Sequence, residues 1–132
     1  ENFIEFDNTF QGSQKLRIID DVRYWNTGNA TDFSQTFARC PSLERLDLTN
    51  WDMGSAETIY EMFRDDNSLE EVGDLSNWNV SSVTEPRLLF YRCYNLRTIG
   101  DVSSWNTSNF TDICMSSKIR LARAFVALKS TP

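Results

Sequence analysis

The sequence predicts an α/β repeat: a solenoid with short parallel strands on one side and short helices on the other. Three markers that share one period carry that expectation. Trp25, Trp51, Trp78 and Trp105 stand 26, 27 and 27 residues apart, while Phe10, Phe37, Phe63 and Phe90 follow at 27, 26 and 27. Leu16, Leu43, Leu69 and Leu96 repeat those last three steps. Self-similarity at such a period marks stacked units, none of which buries its apolar face alone.

The strand comes first in each unit. Leu43-Glu44-Arg45-Leu46-Asp47-Leu48 reads Leu-x-x-Leu-x-Leu, which suits a short strand with alternate side chains in the core. The other units insert one residue before the Asp, as in Ile19-Asp20-Asp21-Val22, Val72-Gly73-Asp74-Leu75 and Ile99-Gly100-Asp101-Val102. That insertion explains the alternation of 26 and 27.

The helix is expected next. In Ala30-Thr31-Asp32-Phe33-Ser34-Gln35-Thr36-Phe37 the apolar residues recur at helical spacing. Asn29, Ser55, Ser82 and Asn109 precede these stretches as N-caps, with Asp32, Glu57, Glu85 and Asp112 in the first turn. Pro86 falls early in its stretch, where a missing N–H costs little. Stacking then sets the strands about 4.8 Å apart in a parallel sheet.

Residues 1–112 hold about four units, the first partial, since Phe3, Phe6 and Phe10 match Ala30, Phe33 and Phe37. The chain opens without Met and in mid-unit, so it reads as a processed piece whose N-terminal edge lacks a cap of its own. Residues 113–132 break the pattern, with Ser117 where a Phe is due. Within this tail residues 117–129 read as one amphipathic helix, with Ile119, Leu121, Ala122, Phe125, Val126 and Leu128 on one half of its wheel. It is expected to cap the C-terminal end by covering Phe110 and Ile113; the alternative is a basic arm that docks on a separate partner or a membrane surface.

Phe90-Tyr91-Arg92-Cys93-Tyr94-Asn95-Leu96 and the run from Ile99 to Asp112 closely resemble the BspA-like leucine-rich repeat of bacterial surface proteins. The likeness extends from about Phe3 to Asp112. It implies a leucine-rich-repeat solenoid used at surfaces for adhesion or protein binding, with no single ligand attached to the family. One departure is that Asp66 stands where the Phe-x-x-Cys pattern, kept at Phe37-Cys40 and Phe90-Cys93, calls for Cys.

Chemistry sets further bounds. The net charge of −6 divides into −10 over residues 1–112 and +4 over residues 113–132. The acidic body repels nucleic-acid phosphates, so nucleic acid is not an expected partner. No apolar run approaches the roughly 20 residues that span a bilayer, so no transmembrane segment is expected. The chain has no His, and no serine sits in a nucleophile-elbow motif, so an enzyme is not expected and no cofactor is implied. Cys40 and Cys93 lie two units apart, roughly 10 Å by strand spacing, too far for a disulfide, and read as small buried hydrophobes.

Asp21, Asp47, Asp74 and Asp101 form a ladder that either binds calcium or, the favoured reading, caps the turns of its own units. The four Trp are expected to stack inside the core. Asn29, Asn79, Asn106 and Asn109 lie in N-x-Ser/Thr sequons, which mark glycosylation only in a secreting eukaryote.

Recognition is expected at outward strand positions that differ between units: Arg17, Arg23, Tyr24, Glu44, Arg45, Glu70, Glu71, Arg97 and Thr98. The function expected from these features is a non-catalytic recognition or adhesion module, extracellular or exposed on a cell or virion surface, that binds a protein or a glycan. The alternative is a structural or accessory subunit of a larger assembly, such as a virion fibre or a membrane-complex component.

Overall fold

The computed structural model describes residues 4–106 and 110. It overturns the expected α/β leucine-rich-repeat solenoid. Among the described residues the helical structure is a single 3₁₀ turn, Asp21–Tyr24, and the strands are β1 (Ile4–Glu5) and β2 (Ala30–Asp32). These two pair in parallel, Ile4 with Ala30 and Glu5 with Asp32. Elsewhere the parallel strands expected along one side reduce to isolated bridges in two columns. One joins Asp32, Thr58 and Glu85; the other joins Ile18, Arg45, Glu71 and Thr98. The expected tail helix and cap, residues 117–129, lie outside the described residues.

The stretches expected as helices are stacks of turns, and the hydrogen bonds show why. The amides of Phe33, Gln35, Phe37 and Arg39 donate to the carbonyls of Thr58, Tyr60, Met62 and Arg64, one repeat onward, at 2.7–3.0 Å. The intervening amides of Thr36 and Ala38 turn back to Phe33 and Gln35. Ile59, Glu61, Phe63 and Asp65 repeat the forward pattern onto Glu85, Arg87, Leu89 and Tyr91. Phe6, Asn8, Phe10 and Gly12 do the same onto Asp32, Ser34, Thr36 and Ala38. A helix would send every amide four residues back along its own chain. Here half of them cross to the next coil, and a coil that satisfies its donors in its neighbour needs no helix.

The backbone takes this path because two residues per coil sit in the left-handed region. Asn8, Gln35, Glu61 and Leu88 have φ of 53–59°, and Gly12, Arg39, Asp65 and Arg92 have φ of 57–76°. Each set shares one repeat position. Left-handed residues four apart reverse the local twist twice per coil, which no right-handed helix survives. Spacings of 3, 4 and 7 therefore still point Ala30, Phe33 and Phe37 inward, all three fully buried.

The interior is built of aligned side chains. Phe10, Phe37, Phe63 and Phe90 stack in sequence with centroids 5.6, 5.6 and 5.0 Å apart. Three of the four tryptophans are internal as expected, Trp51, Trp78 and Trp105 being at most 6% exposed. Each of these indole N–H groups donates to a carbonyl of the preceding coil: Trp51 to Val22, Trp78 to Leu48 and Trp105 to Leu75, at 2.7, 2.9 and 3.1 Å. A large aromatic thus buries its ring and satisfies its one polar atom together. In the first coil Phe6, Phe10, Leu16, Ile19 and Trp25 pack on the core but remain half-buried.

Candidate functional site

The column of single bridges forms one side of the stack. Arg45, Glu71 and Thr98 each take part in it, and all three are exposed. Beside them runs a column of charged neighbours: Arg17 pairs with Glu44 at 2.7 Å and Arg97 with Glu70 at 2.7 Å. Exposed pairs of this kind contribute about 0–1 kcal/mol and fix side-chain positions more than they hold the fold.

On the other flank of the bridge column stands the Asp ladder. Asp47 Oδ1 accepts hydrogen bonds from the Thr49 hydroxyl at 2.6 Å and the Thr49 amide at 3.2 Å. Asp74 and Asp101 accept from the amides of Ser76 and Ser103, each at 3.0 Å. Hydrogen bonds from Thr49 hold the Asp47 carboxyl below its ordinary pKa, and those from Ser103 do the same for Asp101. Each of these three aspartates caps the turn that follows it, the favoured reading of the ladder, whereas Asp21 lies within the 3₁₀ turn. Among the described residues the group of carboxylates whose oxygens converge within 4.8 Å is elsewhere: Glu5, Asp7 and Asp32 at the first coil. All three are already engaged, Glu5 by the Thr31 hydroxyl, Asp7 by the Asn8 side-chain amide and Asp32 by Ser34.

Between the bridge column and the Asp ladder lie two adjoining hollows that share Leu46, Asp47 and Glu71. The larger, about 520 Å³, is completed by Thr49, Gly73, Asp74, Thr98 and Gly100. The smaller, about 260 Å³, is completed by Ile18, Ile19, Asp20, Arg23 and Arg45. Gly73 and Gly100 are the inserted residues ahead of the Asp, and both are left-handed, φ +88° and +87°. A Cβ on Gly100 would fall 2.0 Å from Asp74 Oδ1, and one on Gly73 would fall 2.6 Å from Thr49 Oγ1. Only glycine at these positions leaves room for the capping group of the preceding coil.

Four of the nine residues expected at a recognition surface thus meet around the hollows: Arg23, Arg45, Glu71 and Thr98. Arg17, Glu44, Glu70 and Arg97 form the charged column alongside. Tyr24 is 74% exposed and carries the Arg23 guanidinium 4.8 Å from its ring centroid, but it lines neither hollow. Sequence reasoning missed Leu46, Thr49, Gly73 and Gly100. The usable signal was glycine at an inserted position, a common mark of a close backbone approach.

A second charged group, on the turn side, was also missed. Glu61 is buried and pairs with Arg64 and, at 3.9 Å, with Arg39. Burial alone would raise its pKa, but the hydrogen bonds from Gln35 and Arg64 and the Arg64 charge hold it below the usual range. Arg64 and Arg92 both lie over the Tyr91 ring, at 5.2 and 5.0 Å. Cys40 and Cys93 are buried, unpaired thiols that donate to the carbonyls of Phe10 and Phe63 at 3.1 and 2.9 Å. Burial pushes the Cys40 thiol up to about 11.

Fold and site together define a class: a repeat protein whose coils join through turns and single bridges, with a charged, hollowed side facing solvent. The chain belongs to the family described as Mycoplasma protein of unknown function, DUF285, whose model matches residues 4–128. Comparisons with curated proteins and with solved structures give no match. Among the described residues no helix is long and apolar enough to cross a membrane.

Proposed function

We propose that this chain is a non-catalytic recognition or adhesion module, exposed on a cell or particle surface, that binds a protein partner through its bridge side. The observation that carries the reading is the meeting of Arg23, Arg45, Glu71 and Thr98 around two hollows. These positions differ from coil to coil while the Phe and Trp columns beneath them repeat. A regular interior that displays varied, charged outer residues is the arrangement by which stacked repeats form a binding surface. The BspA-like resemblance supports the surface setting, and a glycan is the alternative ligand.

A second reading, a structural or accessory subunit of a larger assembly, draws on the half-buried row of Phe6, Phe10, Leu16, Ile19 and Trp25. A partner laid against that row would complete its burial.

The two separate in one experiment. The parent chain and an Arg45→Ala/Glu71→Ala variant are tested for binding to intact host cells, to purified extracellular proteins and to a glycan array. Protein binding that the variant loses while staying folded supports recognition through the hollows. A folded parent that binds nothing, or binding the variant retains in full, contradicts it.

A further inference from the structure

One interior column does not repeat its chemistry. Cys40, Asp66 and Cys93 share a repeat position in successive coils, and all three are fully buried. Where its neighbours place a thiol, Asp66 places a carboxyl. Its Oδ1 accepts the Cys40 amide at 2.8 Å, and its Oδ2 has no hydrogen-bond partner among the described residues.

The groups facing Asp66 do not favour a negative charge. The coils on either side present the Cys40 and Cys93 thiols, both neutral because burial raises their pKa values. Along its own coil the neighbour is Asp65, a like charge whose carboxylate is engaged by Arg64 at 3.4 Å and Arg92 at 3.7 Å. Among the described residues no Lys or Arg forms an ion pair with Asp66 itself. A buried carboxylate with one amide donor and no cation is costly, whereas the neutral acid has a proton on the oxygen that otherwise stands unsatisfied.

We propose that the folded chain holds Asp66 as a neutral carboxylic acid, so that folding takes up one proton and the stack tightens as its surroundings acidify. Burial, with a smaller contribution from the Asp65 charge, pushes this carboxyl up to about 9. In the unfolded chain it returns to about 3.9. Between those values the folded state binds the extra proton, so stability is complete below about pH 4 and is lost as pH rises toward about 9. The carboxyls of Glu61, Asp47 and Asp101, all held low, lose their contribution only when pH falls to their own acidic range. The thiols act only above about pH 8, where unfolded cysteine begins to ionise. From pH 5 to 8 Asp66 stands alone among these groups.

The test is urea unfolding of the full chain, followed by tryptophan fluorescence, at intervals from pH 8 to pH 5. The folding equilibrium constant of the parent is expected to rise about tenfold per pH unit on acidification, the slope of a single coupled proton. Asp66→Asn keeps the shape of the neutral acid, and Asp66→Cys restores the group of the neighbouring coils. Both are expected to lose that slope and to be more stable than the parent at pH 8. A parent with no slope over this range, or an Asp66→Asn variant that keeps the parent's slope, overturns the proposal. Should the variants not fold, carboxyl ¹³C NMR of the Asp-labelled parent decides. A protonated resonance for Asp66 throughout pH 5–8 supports it, and an ionised one refutes it.

Discussion

The turn side and the bridge side of this molecule solve the same problem with unequal means. On the turn side each coil sends four amides to its neighbour and folds the intervening ones back, over a continuous column of phenylalanines. On the bridge side two to four amides cross at each junction around a single bridged residue pair, and the space beside it stays open as the two hollows. The turn side adds the phenylalanine column to its amide bonds, whereas the bridge side is joined through its backbone and varies its outer side chains from coil to coil. That division ties the architecture to the proposed function, because a surface can diverge only where stability does not depend on it.

Substitutions graded by side sharpen this comparison. The largest effect is expected on the turn side at Phe63, which stacks between Phe37 at 5.6 Å and Phe90 at 5.0 Å. Phe63→Ala should cost about 3–5 kcal/mol in denaturant unfolding, since it removes a fully buried ring and leaves a cavity. A loss below 1 kcal/mol would break the claim that this column holds the coils.

Next in size is the indole tie between the sides. Trp78→Phe keeps most of the ring but removes the indole N–H bond to the Leu48 carbonyl, 2.9 Å, leaving that carbonyl the Trp51 amide at 3.1 Å. A cost of about 1–3 kcal/mol in denaturant unfolding is expected from the lost hydrogen bond together with the lost ring volume.

Glycine positions give an internal control. Gly100→Ala adds a Cβ 2.0 Å from Asp74 Oδ1 at φ +87°, whereas Gly12→Ala, at φ +76°, meets nothing within 4 Å. Both carry left-handed strain of about 1 kcal/mol. Only the first should add the loss of an Asp cap, for a total of about 2 kcal/mol measured by thermal unfolding. Equal effects at the two sites would show that the close approach has no consequence.

The smallest effect on stability belongs to the charged column. Arg97→Ala, which removes the 2.7 Å pair with Glu70, should change stability by no more than about 1 kcal/mol. A larger loss would move this column from display to support and erase the distinction between the sides.

The sequence foretold the aligned side chains better than the backbone that carries them. Tryptophan and phenylalanine at one period place themselves in columns whatever path joins them, because burial depends on where the side chain ends up. The helix expectation failed because the spacing of Ala30, Phe33 and Phe37 is met equally by a helix and by turns that reverse their twist every few residues. What separates the two is the sign of φ, and at Gln35, Arg39, Glu61, Leu88 and Arg92 the residue type does not announce a left-handed conformation. The first coil does announce it, since Asn8 and Gly12 occupy the same two positions and are among the residues most tolerant of it. For the candidate site, outward strand positions located the bridge column. The hollows escaped notice because their depth comes from Gly73 and Gly100, which were read as an insertion in the period and not as space.

Scalar couplings measured across hydrogen bonds by NMR, which pair each amide with its acceptor carbonyl, test the turn stack most directly. The amides of Phe33, Gln35, Phe37 and Arg39 should couple to the carbonyls of Thr58, Tyr60, Met62 and Arg64, one repeat onward. Couplings instead to the carbonyls four residues earlier in the same coil would restore the helix and contradict the stack of turns.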